Sequence, residues 1–159
     1  MLRCLMDCHI KSALFAGKTI CMGIQLQWEQ HDPDILLFDL RSNQTWDDFH
    51  AAVQQGIEML YDVPYPVYVI TLSASGFPPS ASILSHFHKV AQQLPPNMAL
   101  IVVVTDNFLV ETINQIFFKI SPLGRKLGRL AKTMDEARQI IAQYHAQWGT
   151  ISQKQARHP

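Results

Sequence analysis

The sequence predicts an α/β domain built on a mixed sheet of about five strands with four helices, in the order β-β-α-β-α-β-α-β-α. Three observations support this class. Short apolar segments alternate with segments of helical periodicity, a polar turn separates the first two strands, and two later strands are almost entirely apolar. Strands of the last kind are buried on both faces, as in parallel sheets that helices cover. A chain of 159 residues suits one such domain with one core.

The two ends of the chain lie outside this pattern. Residues 1–21 show neither strand alternation nor a clean helical stripe, and we predict an N-terminal extension there. Residues 149–159 are polar and basic, which is typical of a flexible tail. The predicted domain therefore spans residues 22–148.

A β-hairpin opens the domain. Ile24, Leu26 and Trp28 alternate with polar residues, which is the period of a half-buried strand. The turn-forming residues Asp32-Pro33-Asp34 follow, and the largely apolar residues 35–40 predict the second strand. Together the two strands form the hairpin.

The first helix is predicted to begin at Thr45, whose hydroxyl suits an N-cap. Asp47 and Asp48 follow in the first turn, where the helix dipole favours anions. The helical face that packs on the sheet is predicted to be Trp46, Phe49, Val53, Ile57 and Leu60. Residues 66–72 then form the first of the two buried strands.

Pro95-Pro96 ends a second predicted helix, whose apolar stripe is Ile83, Phe87, Val90, Ala91 and Leu94. Residues 98–105 form the second buried strand. A third helix follows over about residues 107–120, with an inward face of Leu109, Ile113, Ile116, Phe117 and Ile120. Phe118 falls on the opposite side of this helix. We predict it to be an exposed aromatic that anchors a partner or roofs a small apolar pocket.

The last part of the domain is predicted to be a strand and a helix. Residues 126–132 indicate a more polar strand, whose lysines and arginines protect a sheet edge from further pairing. Thr133-Met134-Asp135-Glu136 is a capping box and starts the last helix. The inward face of this helix is predicted to be Ala137, Ile140, Ile141, Tyr144 and Trp148.

The composition argues against several partners and locations. Hydrophobic residues make up 48% of the chain and charged residues 16%, and the formal net charge is zero, so the chain lacks the overall positive charge that favours nucleic-acid binding. The longest apolar run, residues 98–104, is far shorter than the roughly 20 residues of a membrane-spanning helix. An odd number of cysteines and the lack of a signal-peptide core predict a cytoplasmic protein.

Charge is distributed unevenly along the chain. Acidic residues dominate residues 29–62, and basic residues dominate residues 119–138. Such a distribution is typical of ordinary solvated surface, and it also suits self-association or a charged partner.

Two stretches resemble the SpoIIAA-like family, whose bacterial members are often labelled STAS/Sec14-like and are largely uncharacterised. They are Trp28-Glu29 through the hairpin into Thr45-Trp46-Asp47-Asp48-Phe49, and Thr133-Met134-Asp135-Glu136-Ala137-Arg138. The resemblance covers about residues 22–147. It implies a mixed sheet flanked by helices and a regulatory or protein-interaction role without catalysis. The Sec14 label implies the alternative, a carrier of a small apolar or lipid-like ligand.

The resemblance also implies a candidate phosphorylation site. In anti-sigma-factor antagonists, an Asp-Ser-x-Gly stretch opens the helix after the third strand, and its serine is phosphorylated. In this sequence Pro79 stands in place of the aspartate, Ser80 matches the serine, and Ser82 stands in place of the glycine. A phosphate on Ser80 would meet free N–H groups at the helix N-terminus. The alternative is that Ser80 and Ser82 only cap the helix.

No pattern predicts catalysis or metal binding. His86 and His88 are two positions apart on a predicted helix, where side chains point in nearly opposite directions and cannot chelate one ion. The chain has neither a Gly-x-Ser-x-Gly nucleophile motif nor a phosphate-binding glycine loop. We therefore predict no catalytic residues, no metal and no cofactor. A Ser/His hydrolase is the least favoured alternative.

Ligands in open α/β sheets settle beyond the carboxyl ends of parallel strands, at a topological switch point. Such a crevice here would admit a protein partner, including a second copy of the chain in a homodimer, or a small apolar ligand. The candidate surface residues are Ser73, Ser75, Gly76, Ser82, Asp106, Asn107 and Phe118.

Overall fold

The structure, a computed structural model, describes residues 18–21, 24–40, 45–73 and 82–155, with the backbone alone for 18–21 and 147–155. These ranges contain six strands in one sheet and five helices. In chain order the elements are β1 (Lys18–Cys21), β2 (Ile24–Trp28), β3 (Ile35–Asp39), α1 (Trp46–Tyr61), β4 (Val67–Leu72), α2 (Ile83–Ala91), β5 (Met98–Val104), α3 (Phe108–Ile120), α4 (Pro122–Leu127), β6 (Gly128–Ala131) and α5 (Met134–Gln155).

The sheet is mixed and runs in the order β1-β2-β3-β4-β5-β6. β1, β2 and β3 pair antiparallel, whereas β3 to β6 pair parallel. The predicted hairpin is present, with Leu26 opposite Phe38 and Trp28 opposite Leu36. The parallel strands follow each other in sequence order, so their order never reverses. The predicted α/β class with a mixed sheet is confirmed.

The helices are divided unequally between the two faces of the sheet. The face with α1, α2, α3 and α4 has a core that includes Leu26, Phe38, Phe49, Phe87 and Leu127. α5 covers the other face, where Ala137 and Ile141 pack against residues of the parallel strands. The three connections between parallel strands have the same hand, and each adds the next strand on the same side of the one before it. The crossover helices α1, α2 and α3 therefore lie on one face of the sheet.

α1 begins as predicted, with Thr45 as its N-cap. The Thr45 hydroxyl accepts a hydrogen bond from the Asp48 amide at 3.2 Å, and the Asp48 carboxylate accepts one from the Thr45 amide at 2.9 Å. Hydrogen bonds to the Asp48 carboxylate lower its pKa below the usual value. The larger effect comes from the Thr45 amide and the smaller one from the Thr45 hydroxyl. This capping box fixes the start of the helix, whose buried side includes Phe49 and Gly56.

The inward side of α3 differs from the prediction. Val110 and Asn114 are buried, and Phe117 is half-buried. Phe118, predicted to be exposed, is also half-buried. Three residues predicted to face inward are exposed: Leu109, Ile116 and Ile120. The helix is apolar on two sides, so its periodicity identified a helix without determining which side meets the sheet.

Two short elements were missed by the prediction. β1 pairs with β2 and lies within residues 1–21, so the sheet begins before the predicted domain boundary. α4 occupies residues that include part of the predicted strand 126–132, and β6 is only four residues long. The four residues of β1 do not alternate between polar and apolar side chains, and the six residues of α4 make fewer than two helical turns, so neither element shows a clear period. At the other end, α5 continues to Gln155, past the predicted start of the tail at residue 149.

Candidate functional site

A cavity of about 150 Å³ lies between the sheet and the helices α1, α2 and α3. Its floor is formed by side chains of β3, β4 and β5, including Phe38, Val69 and Val103. α1 contributes Val53 and α2 contributes Val90 to the walls. We refer to this space as the apolar cavity.

Two features of the surrounding helices leave this space open. Gly56 on α1 has no side chain, and the nearest side-chain atom to a Cβ built there would be that of Leu26 at 3.8 Å. α2 has nine residues and buries only Phe87, whose ring contacts Phe49 at 6.4 Å and Phe117 at 5.3 Å between centroids. A short helix held by one aromatic anchor covers little of the sheet. The cavity therefore results from the sequence of α1 and the length of α2.

Polar groups are few among the residues that line the apolar cavity, and they are Thr71, Ser73 and Asn114. Ser73 is 2% exposed, and its hydroxyl oxygen has no hydrogen-bond partner within the described ranges. The Asn114 amide group donates to the Val110 carbonyl at 2.8 Å, which holds the side chain against its own helix. Apolar walls with a small number of polar groups are typical of sites for small molecules, because the polar groups orient the ligand.

Phe118 lines the same cavity and corrects the prediction that it is an exposed aromatic. Its ring lies against Gly128, where an added Cβ would overlap it, and its backbone lies against Gly124 at 3.0 Å from a Cβ built there. The two glycines therefore let the start of β6 and the helix α4 approach α3. This close approach turns Phe118 toward the cavity.

A pair of histidines joins α1 to α2. The Nε2 atom of His50 and the Nδ1 atom of His86 are 2.8 Å apart, within hydrogen-bond distance. The His86 ring stacks on the Trp46 ring, with centroids 3.9 Å apart and planes 7° from parallel. We refer to His50, His86 and Trp46 as the histidine clasp, since it connects two helices that border the apolar cavity.

The histidine clasp changes the proton affinity of His50. Burial lowers the pKa of His50 below its usual value, and the neighbouring His86 and Lys89 lower it further, whereas Asp47 raises it. A neutral His50 can share one hydrogen bond with His86, with one imidazole donating and the other accepting. Protonation of both rings would remove the acceptor and place two positive charges in contact.

The predicted site residues do not converge in one place. Ser73 and Phe118 line the apolar cavity. Asp106 is exposed, and Asn107 is the N-cap of α3, where its side-chain oxygen accepts from the amides of Leu109 and Val110. Ser82 is the N-cap of α2, and its side chain makes no capping hydrogen bond. Ser75, Gly76 and Ser80 lie outside the described residues.

The switch point predicted at the carboxyl ends of the strands is not a feature of this sheet. A switch point requires neighbouring parallel strands whose connections leave in opposite directions, and the order β3-β4-β5-β6 has no such reversal. The histidine clasp was not predicted from the sequence, where His86 was paired only with His88 on the same helix. The spacing of Trp46 and His50, one turn apart on α1, is the signal that was available.

In the described ranges, no group of three or more histidine, cysteine, aspartate or glutamate side chains is arranged to hold a metal ion. Among the helices of those ranges, none combines the length and the apolar character needed to cross a membrane.

No protein-family model and no curated protein matches the chain. The fold is similar to that of an uncharacterised protein of the DUF3478 family from Shewanella loihica PV-4, whose crystal structure has a SpoIIAA-like fold. The two proteins are 14% identical, with a TM-score of 0.53 over 80% of this chain and 96% of that chain. At this identity the likeness concerns the fold alone. This chain has a SpoIIAA-like α/β fold, as its sequence resemblance implied.

Proposed function

We propose that this chain is a cytoplasmic, non-enzymatic binding protein that holds a small apolar ligand in the apolar cavity. The observation that carries the proposal is the cavity itself, which the sheet and three helices line with almost entirely apolar side chains. Of the two functions predicted from the sequence, this is the carrier of a small apolar or lipid-like ligand.

The size of the cavity limits the ligand. Apolar cavities of about 150 Å³ in proteins stay dry and accept molecules of the size of benzene. A ring or a short acyl segment therefore fits inside the cavity, which has about that volume. Ser73 supplies a buried hydroxyl whose oxygen lacks a partner in the described part of the chain, so a ligand with one polar group is favoured over a pure hydrocarbon.

Native mass spectrometry of gently purified protein tests whether a ligand is bound. We expect an added mass that organic extraction removes. Isothermal titration calorimetry with phenol, a small probe with one ring and one polar group, then tests the location. Ala91 lines the cavity, and replacing it with leucine fills part of the space. We expect Ala91→Leu to weaken probe binding at least about tenfold because the added carbons occupy the volume that the ring needs.

Ala51→Leu is the matched control, because the same change falls on an exposed position of α1. We expect this variant to bind the probe as the parent protein does. Loss of binding in both variants would show that leucine acts through the stability of the fold. A parent protein that carries no added mass and does not bind the probe would refute the proposal.

A regulatory or protein-interaction module was the leading prediction from the sequence and is now the second candidate, which the SpoIIAA-like fold favours. A ligand-free homodimer or a complex with another protein in the same mass spectra would support it. The sequence predicts that Ser80→Asp changes the binding of such a partner and that Ser80→Ala does not. Equal binding by both variants would remove Ser80 from the proposal.

A further inference from the structure

The side of α3 that faces away from the sheet is strongly apolar. Phe108 is 79% exposed, Leu109 62%, Ile116 45% and Ile120 60%. At about 100° per residue, the four side chains lie within an arc of about 120° on the helix. The opposite side of the helix holds Val110 and Asn114, both buried. We refer to Phe108, Leu109, Ile116 and Ile120 as the α3 outer face.

Basic side chains border one end of the α3 outer face. Lys119 lies within the same arc, and Arg125 and Lys126 are exposed on α4, which begins two residues after α3 ends. Within the described part of the chain, none of the three has an ion-pair partner. This end of the face therefore carries uncompensated positive charge.

The nearest acidic residues do not cancel that charge. Glu111 lies on another side of α3, where its carboxylate pairs with the ammonium group of Lys132. Asp106 is exposed, but it precedes the helix and so lies at the end away from Lys119. Exposed large hydrophobic side chains with an uncompensated lysine on the same side of a helix, and two further cations just beyond its C-terminal end, match the pattern of a helix that binds the surface of a membrane.

We propose that the α3 outer face docks this protein on an anionic lipid bilayer. The four apolar side chains enter the boundary between headgroups and acyl chains, and the three cations lie near lipid phosphates. The proposal goes beyond the function of the apolar cavity, and it does not require that the cavity hold a ligand.

The area of the face favours a bilayer over a protein. Side chains of this size that are 45–79% exposed present roughly 450 Å² in total, about half of the ~800 Å² that each partner buries in a standard protein complex. A bilayer needs no complementary surface, so a single convex helix face with flanking cations is sufficient. A second copy of the chain would have to supply the missing area from other elements.

Co-sedimentation with vesicles tests the proposal on the full chain. We expect the protein to sediment with vesicles of phosphatidylcholine mixed with phosphatidylglycerol, and to bind vesicles of phosphatidylcholine alone at least about tenfold more weakly. The double variant Phe108→Ser, Ile120→Ser should lose at least about tenfold in affinity for the anionic vesicles. The double variant Lys119→Gln, Lys126→Gln should lose affinity and much of its sensitivity to added salt.

Tyr61→Ser is the matched control, since Tyr61 is a 65% exposed aromatic at the end of α1 and not on α3. It should bind vesicles as the parent does, and all variants should keep the parental melting temperature. Ala91→Leu should also bind as the parent does, which separates this proposal from that of the cavity. No binding to anionic vesicles, equal binding by the serine double variant, or a homodimer that this variant abolishes without any vesicle binding would overturn it.

Discussion

At the scale of single residues, Gly128 shows how closely α3 and β6 approach. A Cβ at this position would overlap the Phe118 ring and lie 2.7 Å from the carbonyl oxygen of Gly124. The second contact is with backbone, which a side-chain rotation cannot relieve. We expect Gly128→Ala to lower the free energy of unfolding by about 1–3 kcal/mol, measured by urea denaturation.

Gly56→Ala is the matched control for this substitution. Gly56 lies inside α1, and the nearest side-chain atom to its built Cβ is at 3.8 Å, an ordinary contact. Alanine in a helix interior is more favourable than glycine by roughly 0.5–1 kcal/mol, so Gly56→Ala should leave stability unchanged or raise it. Equal losses of stability in the two variants would contradict our explanation that the close contacts at Gly128 leave no space for a Cβ.

Phe118 also shows that a helical wheel does not determine which side of a helix is buried. The sequence placed this residue correctly opposite Leu109, Ile116 and Ile120, but those three residues are exposed whereas Phe118 is half-buried. Ile113 and Phe117, which were also predicted to face inward, do pack against the core. Counting apolar residues favoured the side that is exposed. The contacts that determine the position of Phe118 are with Gly124 and Gly128, which follow α3 in the chain. These glycines leave room for its aromatic ring on the side of α3 opposite Leu109, Ile116 and Ile120.

At the scale of elements, the histidine clasp predicts that stability depends on pH. The pKa of folded His50 lies below its usual value of about 6.5, so the unfolded chain binds this proton at higher pH than the folded chain does. The contribution to stability is therefore complete above about pH 6.5 and is lost as the pH falls toward the lowered pKa. We expect the melting temperature to fall between about pH 7.5 and about pH 5.5.

Variants separate the histidine clasp from the other titrating groups. His50→Asn removes the titrating ring, and it should reduce the loss of melting temperature on acidification. His88→Asn is the control, because His88 is exposed on α2 and contacts Gln92 at 3.0 Å rather than α1. It should keep the parental pH dependence. Identical pH profiles for the parent and His50→Asn would remove the clasp as the cause.

The sequence predicted most accurately those elements that a short local pattern identifies by itself. The N-cap at Thr45 and the alternation of Ile24, Leu26 and Trp28 each correspond to an observed element. β1 and α4 were missed because neither sequence shows a clear period, and β1 depends on its pairing with β2. The contact of His50 with His86 spans two helices, so the spacing of Trp46 and His50 on α1 could indicate one half of the clasp but not its partner on α2.

At the scale of the whole molecule, strand order determines where the cavity lies. The alternation of strands and helices predicted the α/β class, but it carried no information on the order of the parallel strands. The expected crevice requires a reversal of that order, and β3-β4-β5-β6 has none. All three crossover helices therefore pack on one face, and the space develops between them and the sheet.

Because the apolar cavity lies between the sheet and three helices, a bound ligand should stabilise the folded chain. A ligand in the apolar cavity would contact side chains of β3, β4 and β5 together with three helices, and these contacts exist only in the folded chain. Saturating phenol, at about a hundred times its Kd, should therefore stabilise the protein by roughly 2.7 kcal/mol. A thermal melt with and without the probe measures this as a rise in Tm.

Ala91→Leu and Ala51→Leu again provide the comparison for this rise in Tm. Ala91→Leu should show at most about half of this rise at the same probe concentration, because a tenfold weaker Kd leaves roughly 1.4 kcal/mol of stabilisation. Ala51→Leu should keep the parental rise. A rise of equal size in Ala91→Leu would mean that the probe binds elsewhere, with the exposed α3 outer face as the first surface to consider.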